Sequence, residues 1–368
     1  MKIGIDARLY GTKHAGLGRY TENLIKQLEK IDSSNQYFVF LQKDNFDDYQ
    51  PENKNFKKVL ADFRAYSWQE QVLFPRVLKK YKFDFVHFTH FNVPFFYRNK
   101  FIVTIHDLII SHYPSSRATT LNPIIYKIKL FLYKIIVKST ARRAKKIIAV
   151  SEYTKKDIIK LLGVDADKII VTYEGVDFLK DSDLDCDSVL SGLGISKDFL
   201  LYVGSAYPHK NLEKLVSAFK EAIKQKKDLQ LVLVGKKSFF YERLEQLVET
   251  RGNVVFTGYL DDEKLACLYG RAKLYVFPSL IEGFGLPPLE AQSYGLPVVS
   301  SNFTCLPEVL GDSAIYFDPE NVEEINKTII NTLDDQSLMN NLIERGKENL
   351  KRYSWEDCAK QTLEEYKR

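Results

Sequence analysis

Leu274-Tyr-Val-Phe-Pro-Ser-Leu-Ile-Glu282-Gly-Phe-Gly-Leu-Pro-Pro-Leu-Glu290-Ala-Gln-Ser-Tyr-Gly-Leu-Pro-Val-Val-Ser300 sets two carboxylates on either side of a backbone stretch that cannot be one continuous helix. Leu274 to Phe277 reads as a short apolar strand. Gly283, Gly285, Pro287 and Pro288 then interrupt regular structure, and the prolines suit the first turn of a helix over Leu289 to Tyr294. Glu282 is thereby placed on a loop at a strand's C-terminal end and Glu290 on the first turn of a helix. A helix start offers unpaired N–H groups and about half a positive charge to an anion such as phosphate. The glycines allow close approach of the backbone, and the flanking acids suit neutral hydroxyl groups.

The strand, loop, helix, strand order of this stretch recurs along the chain. Short β-runs at Lys2 to Ala7, Tyr37 to Leu41, Phe85 to His87, Phe101 to Ile105 and Lys146 to Val150 alternate with helical stretches such as Leu17 to Lys30 and Glu152 to Leu162. A second series runs through Phe199 to Val203, Leu229 to Val234, Val254 to Thr257, Leu274 to Phe277 and Val298 to Ser300. Such alternation predicts parallel sheets covered by helices on both faces, and 368 residues exceed what one hydrophobic core usually serves. The fold class is therefore α/β with two Rossmann-like domains, residues 1–182 and residues 195–352. Between them Asp181-Ser-Asp-Leu-Asp-Cys-Asp187, followed by Gly192 and Gly194, reads as an acidic linker.

Composition narrows the class. Hydrophobic residues at 45% and charged ones at 27% are ordinary for a soluble folded protein, so no long disordered region is expected. Cys186, Cys267, Cys305 and Cys358 are scattered without a C-x-x-C, which suggests neither a zinc site nor a disulfide framework and fits a reducing cytosol. Met1 to Asp6 leads straight into a strand without the features of a signal peptide, and no uncharged apolar run approaches the roughly 20 residues that span a bilayer. Residues 1–180 hold 31 Lys/Arg against 18 Asp/Glu, a net +13, which leaves −8 for the remainder of a chain whose total is +5. The basic half should face an anionic partner. Its sharpest part is residues 124–146, with eight cations among bulky apolar residues and no acid between Asp107 and Glu152. Ile124, Ile128, Phe131, Leu132 and Ile135 follow helical spacing there, with Lys127, Lys134 and Lys138 nearby. Two readings are open: a helix lying on an anionic membrane surface, or a core-packed helix with a solvated basic face.

The string Glu282-Gly-Phe-Gly-Leu-Pro-Pro-Leu-Glu290 resembles the E-x7-E signature of the retaining family-four glycosyltransferases, which have the two-domain GT-B fold with Rossmann-like domains facing across a cleft. The resemblance implies that Glu282 contacts the donor sugar's hydroxyls, that Gly283, Phe284, Gly285 and Leu286 lie against sugar and diphosphate, and that Glu290 holds the ribose. It also makes residues 1–182 the acceptor-side domain, joined by a terminal helix over 353–368, and residues 195–352 the donor-binding domain. Gly16-Leu-Gly18-Arg-Tyr after the first strand is by itself a turn before a helix and lacks the full G-x-G-x-x-G; the resemblance gives Gly16 and Gly18 a place over the donor diphosphate. His106, at the end of the fourth β-run, is either a strand-end histidine satisfied by backbone or, by resemblance, a group beside the transferred sugar. Lys210, in Tyr207-Pro-His-Lys210-Asn, matches the lysine that meets the donor pyrophosphate. Ser205 stands where many members have an arginine, so the leaving group rests on Lys210, with His209 or Arg19 as helpers. Tyr259 and Leu260 match the stretch bordering the base. The alternation Asp183-Leu-Asp185-Cys-Asp187 imitates a D-x-D metal motif but sits in the linker, so no metal site is assigned.

The resemblance implies a retaining, metal-independent hexosyltransferase that uses no cofactor beyond its nucleotide-sugar donor. Mannose from GDP-mannose is the first expectation and a UDP-sugar the alternative. The acceptor is expected to be a membrane-associated glycan or a lipid-linked molecule in surface polysaccharide synthesis, with His106, Lys210 and Glu282 as the catalytic set. No nucleic-acid partner is expected, and the location implied is cytoplasmic, peripheral on the inner face of the cell membrane. Three rivals differ in chemistry. A glycoside hydrolase would hold two carboxylates about 5 to 9.5 Å apart; an NAD-dependent oxidoreductase would need the missing dinucleotide fingerprint; a non-catalytic protein would bind the nucleotide sugar without turnover.

Overall fold

A computed structural model describes residues 1–11, 14–114, 122–176, 183–248 and 252–368. The chain divides into two compact units, Met1–Gly175 with Ser354–Arg368, and Val176–Tyr353. The first contains β1 (Lys2–Asp6), α1 (Ala15–Ile31), β2 (Gln36–Leu41), β3 (Phe56–Leu60), α2 (Trp68–Lys80), β4 (Phe85–Phe88) and β5 (Phe101–Ile105). It continues with α3 (Ile109–His112), α4 (Pro123–Arg143), β6 (Lys146–Ala149), α5 (Glu152–Leu162) and β7 (Ile169–Val171). The second contains α6 (Cys186–Gly192), β8 (Asp198–Val203), α7 (Leu212–Gln225), β9 (Leu229–Val234), α8 (Phe239–Leu247), β10 (Val254–Gly258) and α9 (Asp262–Arg271). There follow β11 (Leu274–Phe277), α10 (Leu286–Ser293), β12 (Val298–Ser301), α11 (Leu306–Leu310), β13 (Ala314–Phe317), α12 (Val322–Asp334) and α13 (Gln336–Leu350). The terminal α14 (Trp355–Lys367) returns to the first unit.

Each unit is a parallel sheet whose strand order reverses direction once. The first runs β3-β2-β1-β4-β5-β6-β7 and the second β10-β9-β8-β11-β12-β13. β1 pairs with both β2 and β4, and β8 with both β9 and β11, so the chain switches sides at β1/β4 and at β8/β11. In open parallel sheets that switch leaves a crevice outside the strands' C-terminal ends, where ligands bind. The inner strands are buried on both faces, as β5 (Phe-Ile-Val-Thr-Ile) and β9 (Leu-Gln-Leu-Val-Leu-Val) show with no exposed position.

Several sequence expectations change. β3, β7 and β13 were not foreseen: Phe-Lys-Lys-Val-Leu in β3 carries two lysines, and β7 and β13 are only three and four residues long. The stretch read as a linker folds, in its described part, into α6, because Asp185 caps the helix by accepting the Asp187 amide at 3.2 Å. The chain passes between units at Gly175–Val176 and Tyr353–Ser354 instead. Cys186 on α6 is disulfide-bonded to Cys267 on α9, which corrects the expectation of no disulfide. The two cysteines are 81 positions apart, and only the packing of α6 against α9 brings them together. Arg271 adds an ion pair to Asp187 at 3.2 Å on the same contact.

On α4 the buried residues are Tyr133, Val137, Thr140 and Ala141, of which Tyr133, Val137 and Ala141 join the hydrophobic core of the first unit. The spaced apolar set picked out in the sequence is the opposite of a core stripe. Ile124 is 69% exposed, Ile128 55% and Phe131 64%. No helix among the described residues is long and apolar enough to cross a membrane.

Candidate active site

The second unit collects most of the expected residues around its switch point. After β8 the chain passes Gly204 and Ser205 into a short 3-10 turn, Pro208–Lys210. Asn211 stands next in the left-handed region (φ 62°). Its amide donates to Pro278 O at 3.1 Å and Pro319 O at 2.7 Å, and the Leu280 N–H donates to His209 O at 2.8 Å. These bonds clip the loop after β8 to the loops after β11 and β13. Lys210 Nζ consequently lies 2.6 Å from Glu282 Oε1, with side chains only 17% and 10% exposed, and 5.7 Å from the centre of the Phe277 ring. Sequence reasoning gave these two residues separate roles and did not foresee that they pair.

The Glu282 loop is fixed from below. Its N–H donates to Thr304 Oγ1 at 3.2 Å. Burial and then the nearby Glu282 and Glu308 push the Cys305 thiol well above its ordinary value. It therefore keeps its proton and shares one S–H between the carbonyls of Glu282 (3.3 Å) and Phe284 (3.2 Å). Phe284 is buried edge-on against Tyr353, 5.4 Å between centroids. Gly285 takes φ +100°, and a Cβ there would meet Leu306 Cδ2 at 2.9 Å, so both conformation and space call for glycine.

Helix α10 starts three residues earlier than expected, at Leu286, with Gly285 as its N-cap and no side-chain cap. Glu290 thus sits in the second turn, buried, and its Oε2 accepts from Tyr269 OH at 3.2 Å. Pro287 and Pro288 have no N–H, which leaves the first turn with fewer free donors than an ordinary helix start. The positive charge at this site comes chiefly from Lys210. Burial holds the Tyr275 hydroxyl well above its usual value; the hydrogen bond with the Val203 backbone opposes this, and Glu290 and Glu282 reinforce it. Both signature carboxylates therefore lie within electrostatic reach of one buried phenol on β11. His209 does not help as a cation: burial first, and the Lys210 charge second, push it down to about 4, so it is neutral near pH 7. Ser205 accepts the Tyr202 hydroxyl at its carbonyl (2.9 Å). At the end of β10 Tyr259 stands exposed and Leu260 half-buried.

The first unit holds His106, Gly16 and Gly18. Gly16 and Gly18 belong to the start of α1 and not to the loop before it. A Cβ on Gly18 would lie 1.9 Å from Gly11 O, so this glycine lets α1 pack on the chain leaving β1. His106, directly after β5, is buried with both ring nitrogens engaged: Nε2 donates to Thr89 O at 3.0 Å, and Nδ1 lies 2.9 Å from Glu174 Oε1. Thr89 Oγ1 in turn donates to Asp6 O at 2.8 Å. The Tyr20 ring meets His106 edge-on at 4.6 Å. Glu174, Thr304 and Cys305 escaped the sequence reading. Glu174 had a signal, an acid just beyond a strand, which was lost because β7 was not recognised.

Parallel sheets with a paired Lys and Glu at the second switch point, and a glycine loop between two buried carboxylates, define a glycosyltransferase of the GT-B fold. Residues 14–178 match Glycosyltransferase Family 4 and residues 192–349 match Glycosyl transferases group 1. The chain belongs to this family. It is 32% identical to O-antigen chain mannosyltransferase B of Escherichia coli over 96% of each chain. The fold is shared with HepE of Anabaena, solved in complex with UDP-glucose (TM-score 0.77, 17% identity, 100% and 99% of the two chains). It is shared also with WaaG, a glycosyltransferase involved in lipopolysaccharide biosynthesis (TM-score 0.73, 15% identity, 98% of each).

Proposed function

We propose that the chain transfers mannose from GDP-mannose, with retention and without a metal ion or added cofactor, to a membrane-associated glycan or lipid-linked acceptor in surface polysaccharide synthesis. The observation that carries the donor site is the Lys210–Glu282 pair at the β8/β11 switch point. Mannose is supported by relatives named as O-antigen mannosyltransferases. In the reaction the bond between anomeric carbon and diphosphate breaks, the acceptor oxygen bonds to that carbon from the same face, and the acceptor's proton leaves with the nucleoside diphosphate. Negative charge grows on the departing phosphate and positive charge on the sugar. Lys210 and the amides at the start of α10 are fixed donors for the first. Glu282 holds sugar hydroxyls beside the second, Glu290 takes the ribose, and Ser205, Tyr259 and Leu260 border the nucleotide. In the same reading His106 borders the transferred sugar, and Gly16 and Gly18, in the first turn of α1, lie over its diphosphate.

The exposed apolar residues of α4, interleaved with Lys127, Lys129, Lys134 and Lys138, suit an anionic bilayer, each cation near the surface contributing about 1 kcal/mol. This surface supports a reading of peripheral attachment at the inner face of the cell membrane, which would bring the enzyme to a lipid-linked acceptor. Incubation with GDP-, UDP-, ADP- and dTDP-sugars, read by product mass, tests the donor. Product from GDP-mannose is expected, and turnover confined to a UDP-sugar would overturn the mannose assignment.

A further inference from the structure

We propose that Glu174 is a positioning residue that locks the His106 imidazole for transfer, an inference resting on the placement of His106 beside the sugar. The two residues follow β5 and β7, which are separated in the sheet by β6. At about 4.8 Å per strand their backbones stand roughly 10 Å apart, so both side chains must reach over the end of β6 to meet at 2.9 Å. Glu174 is 4% exposed, and among the described residues its carboxylate has a single hydrogen-bond partner, His106. A buried carboxylate is costly unless paired, and nothing else here pairs this one.

Proton accounting then limits what the ring can do. Thr89 O is a carbonyl and only accepts, so Nε2 carries a hydrogen. Nδ1 faces a carboxylate, so a proton must lie between them. No lone pair remains to take a proton from an acceptor hydroxyl, and His106 is therefore no general base. What the arrangement supplies is rigidity: a chain of contacts from Glu174 through the His106 ring to Thr89 O, and from Thr89 Oγ1 to Asp6 O, ties together the C-terminal ends of β7, β5, β4 and β1. The neighbouring His87, fully buried, is pushed down to about 3 by burial and then by His106, and stays neutral.

Glu174→Gln keeps the shape and replaces the shared proton with an amide N–H that forces Nδ1 to accept. The readouts are kcat and donor KM, nucleoside diphosphate binding, and the 15N resonances of the His106 ring, with Glu174→Asp as the conservative variant. We expect kcat to fall about 10- to 100-fold, the scale of losses when a reactive group's support is removed, with donor KM within about twofold. The ring nitrogen signals should shift, and Glu174→Asp should recover part of kcat. Unmoved ring signals in Glu174→Gln would overturn the positioning contact. Shifted signals with unchanged kcat would overturn its role in transfer. An inactive wild-type enzyme would instead defeat the transferase reading and this role with it, while the ring signals would still decide whether Glu174 orients His106.

Discussion

The Lys210–Glu282 pair makes a prediction that a plain assignment of donor-site roles does not. In the free protein the ammonium is committed to Glu282 at 2.6 Å, so a nucleoside diphosphate must compete with that carboxylate for it. Glu282→Gln weakens the competitor from a charge-assisted bond, worth about 1.5–3 kcal/mol, to a neutral acceptor worth about 0.5–1.5 kcal/mol. The difference, about 1 kcal/mol, is returned to the ligand, and GDP without sugar should bind roughly fivefold tighter to the variant. Turnover should move the other way, because on the proposed role a hydroxyl-binding group beside the reacting carbon is lost; removal of one such fixed interaction typically costs about 10²–10³ in kcat. Lys210→Met should abolish the gain and, by stranding Glu282, lower stability by about 2 kcal/mol, less than the 3–5 kcal/mol of a fully buried broken pair because both side chains keep some solvent contact. Titration calorimetry with GDP and UDP in parallel measures the first effect and product mass the second. If Glu282→Gln bound both diphosphates no better than wild type, Lys210 would not be the phosphate's cation.

Three other outcomes follow from the geometry. Ile128→Glu with Phe131→Glu should strip the protein from anionic vesicles in co-sedimentation, each change placing an acid where an exposed apolar group now stands; undiminished pelleting would clear α4 of membrane contact. His87 has a folded pKa of about 3 against an ordinary 6.5, so the unfolded chain takes up the proton first and stability is lost as pH falls below about 6.5, by about 1–2 kcal/mol at pH 5. His87→Gln should flatten the fall of Tm between pH 7.5 and 5, and parallel curves would contradict the assignment. Cutting the Cys186–Cys267 bond, whose sulfurs close a separation of 81 residues, should lower unfolding free energy by about 4 kcal/mol on the chain-entropy estimate; equal denaturant midpoints with and without reductant would show that it contributes nothing.

What was legible in the sequence was local. Gly285 and the two prolines announce a loop running into a helix because their backbone restrictions act within a few residues, and the β11 run ahead of them is readable for the same reason. The strand alternation carried the fold class, since fully buried parallel strands are near-continuous apolar runs. The start of α10 was misjudged by a few residues because prolines are tolerated inside a first turn as well as before it. What escaped was contact between distant positions. Lys210 and Glu282 are 72 residues apart, His106 and Glu174 are 68 apart, and Thr304 meets Glu282 across 22. No spacing rule encodes those meetings; the order of strands in the sheet does.

The strand order also explains why the polar residues meet where they do. In each unit the strand on one side of the switch point is early in the chain and its neighbour is late, so side chains far apart in sequence converge at the strand ends while the strands themselves stay apolar. Lys210 reaches Glu282 because β8 and β11 are neighbours; Thr89 reaches Asp6 because β1 and β4 are. A charge buried at such an edge is costly until something neutralises it, and in the second unit that partner is another side chain of the same edge. On the proposed donor-site roles, the pair that stabilises this edge is also the pair that a diphosphate and a sugar would take apart, one charge each. Stability without ligand and affinity for ligand are set against each other at Lys210 and Glu282, and variants there should move the two in opposite directions whenever they weaken the pair without stranding either charge.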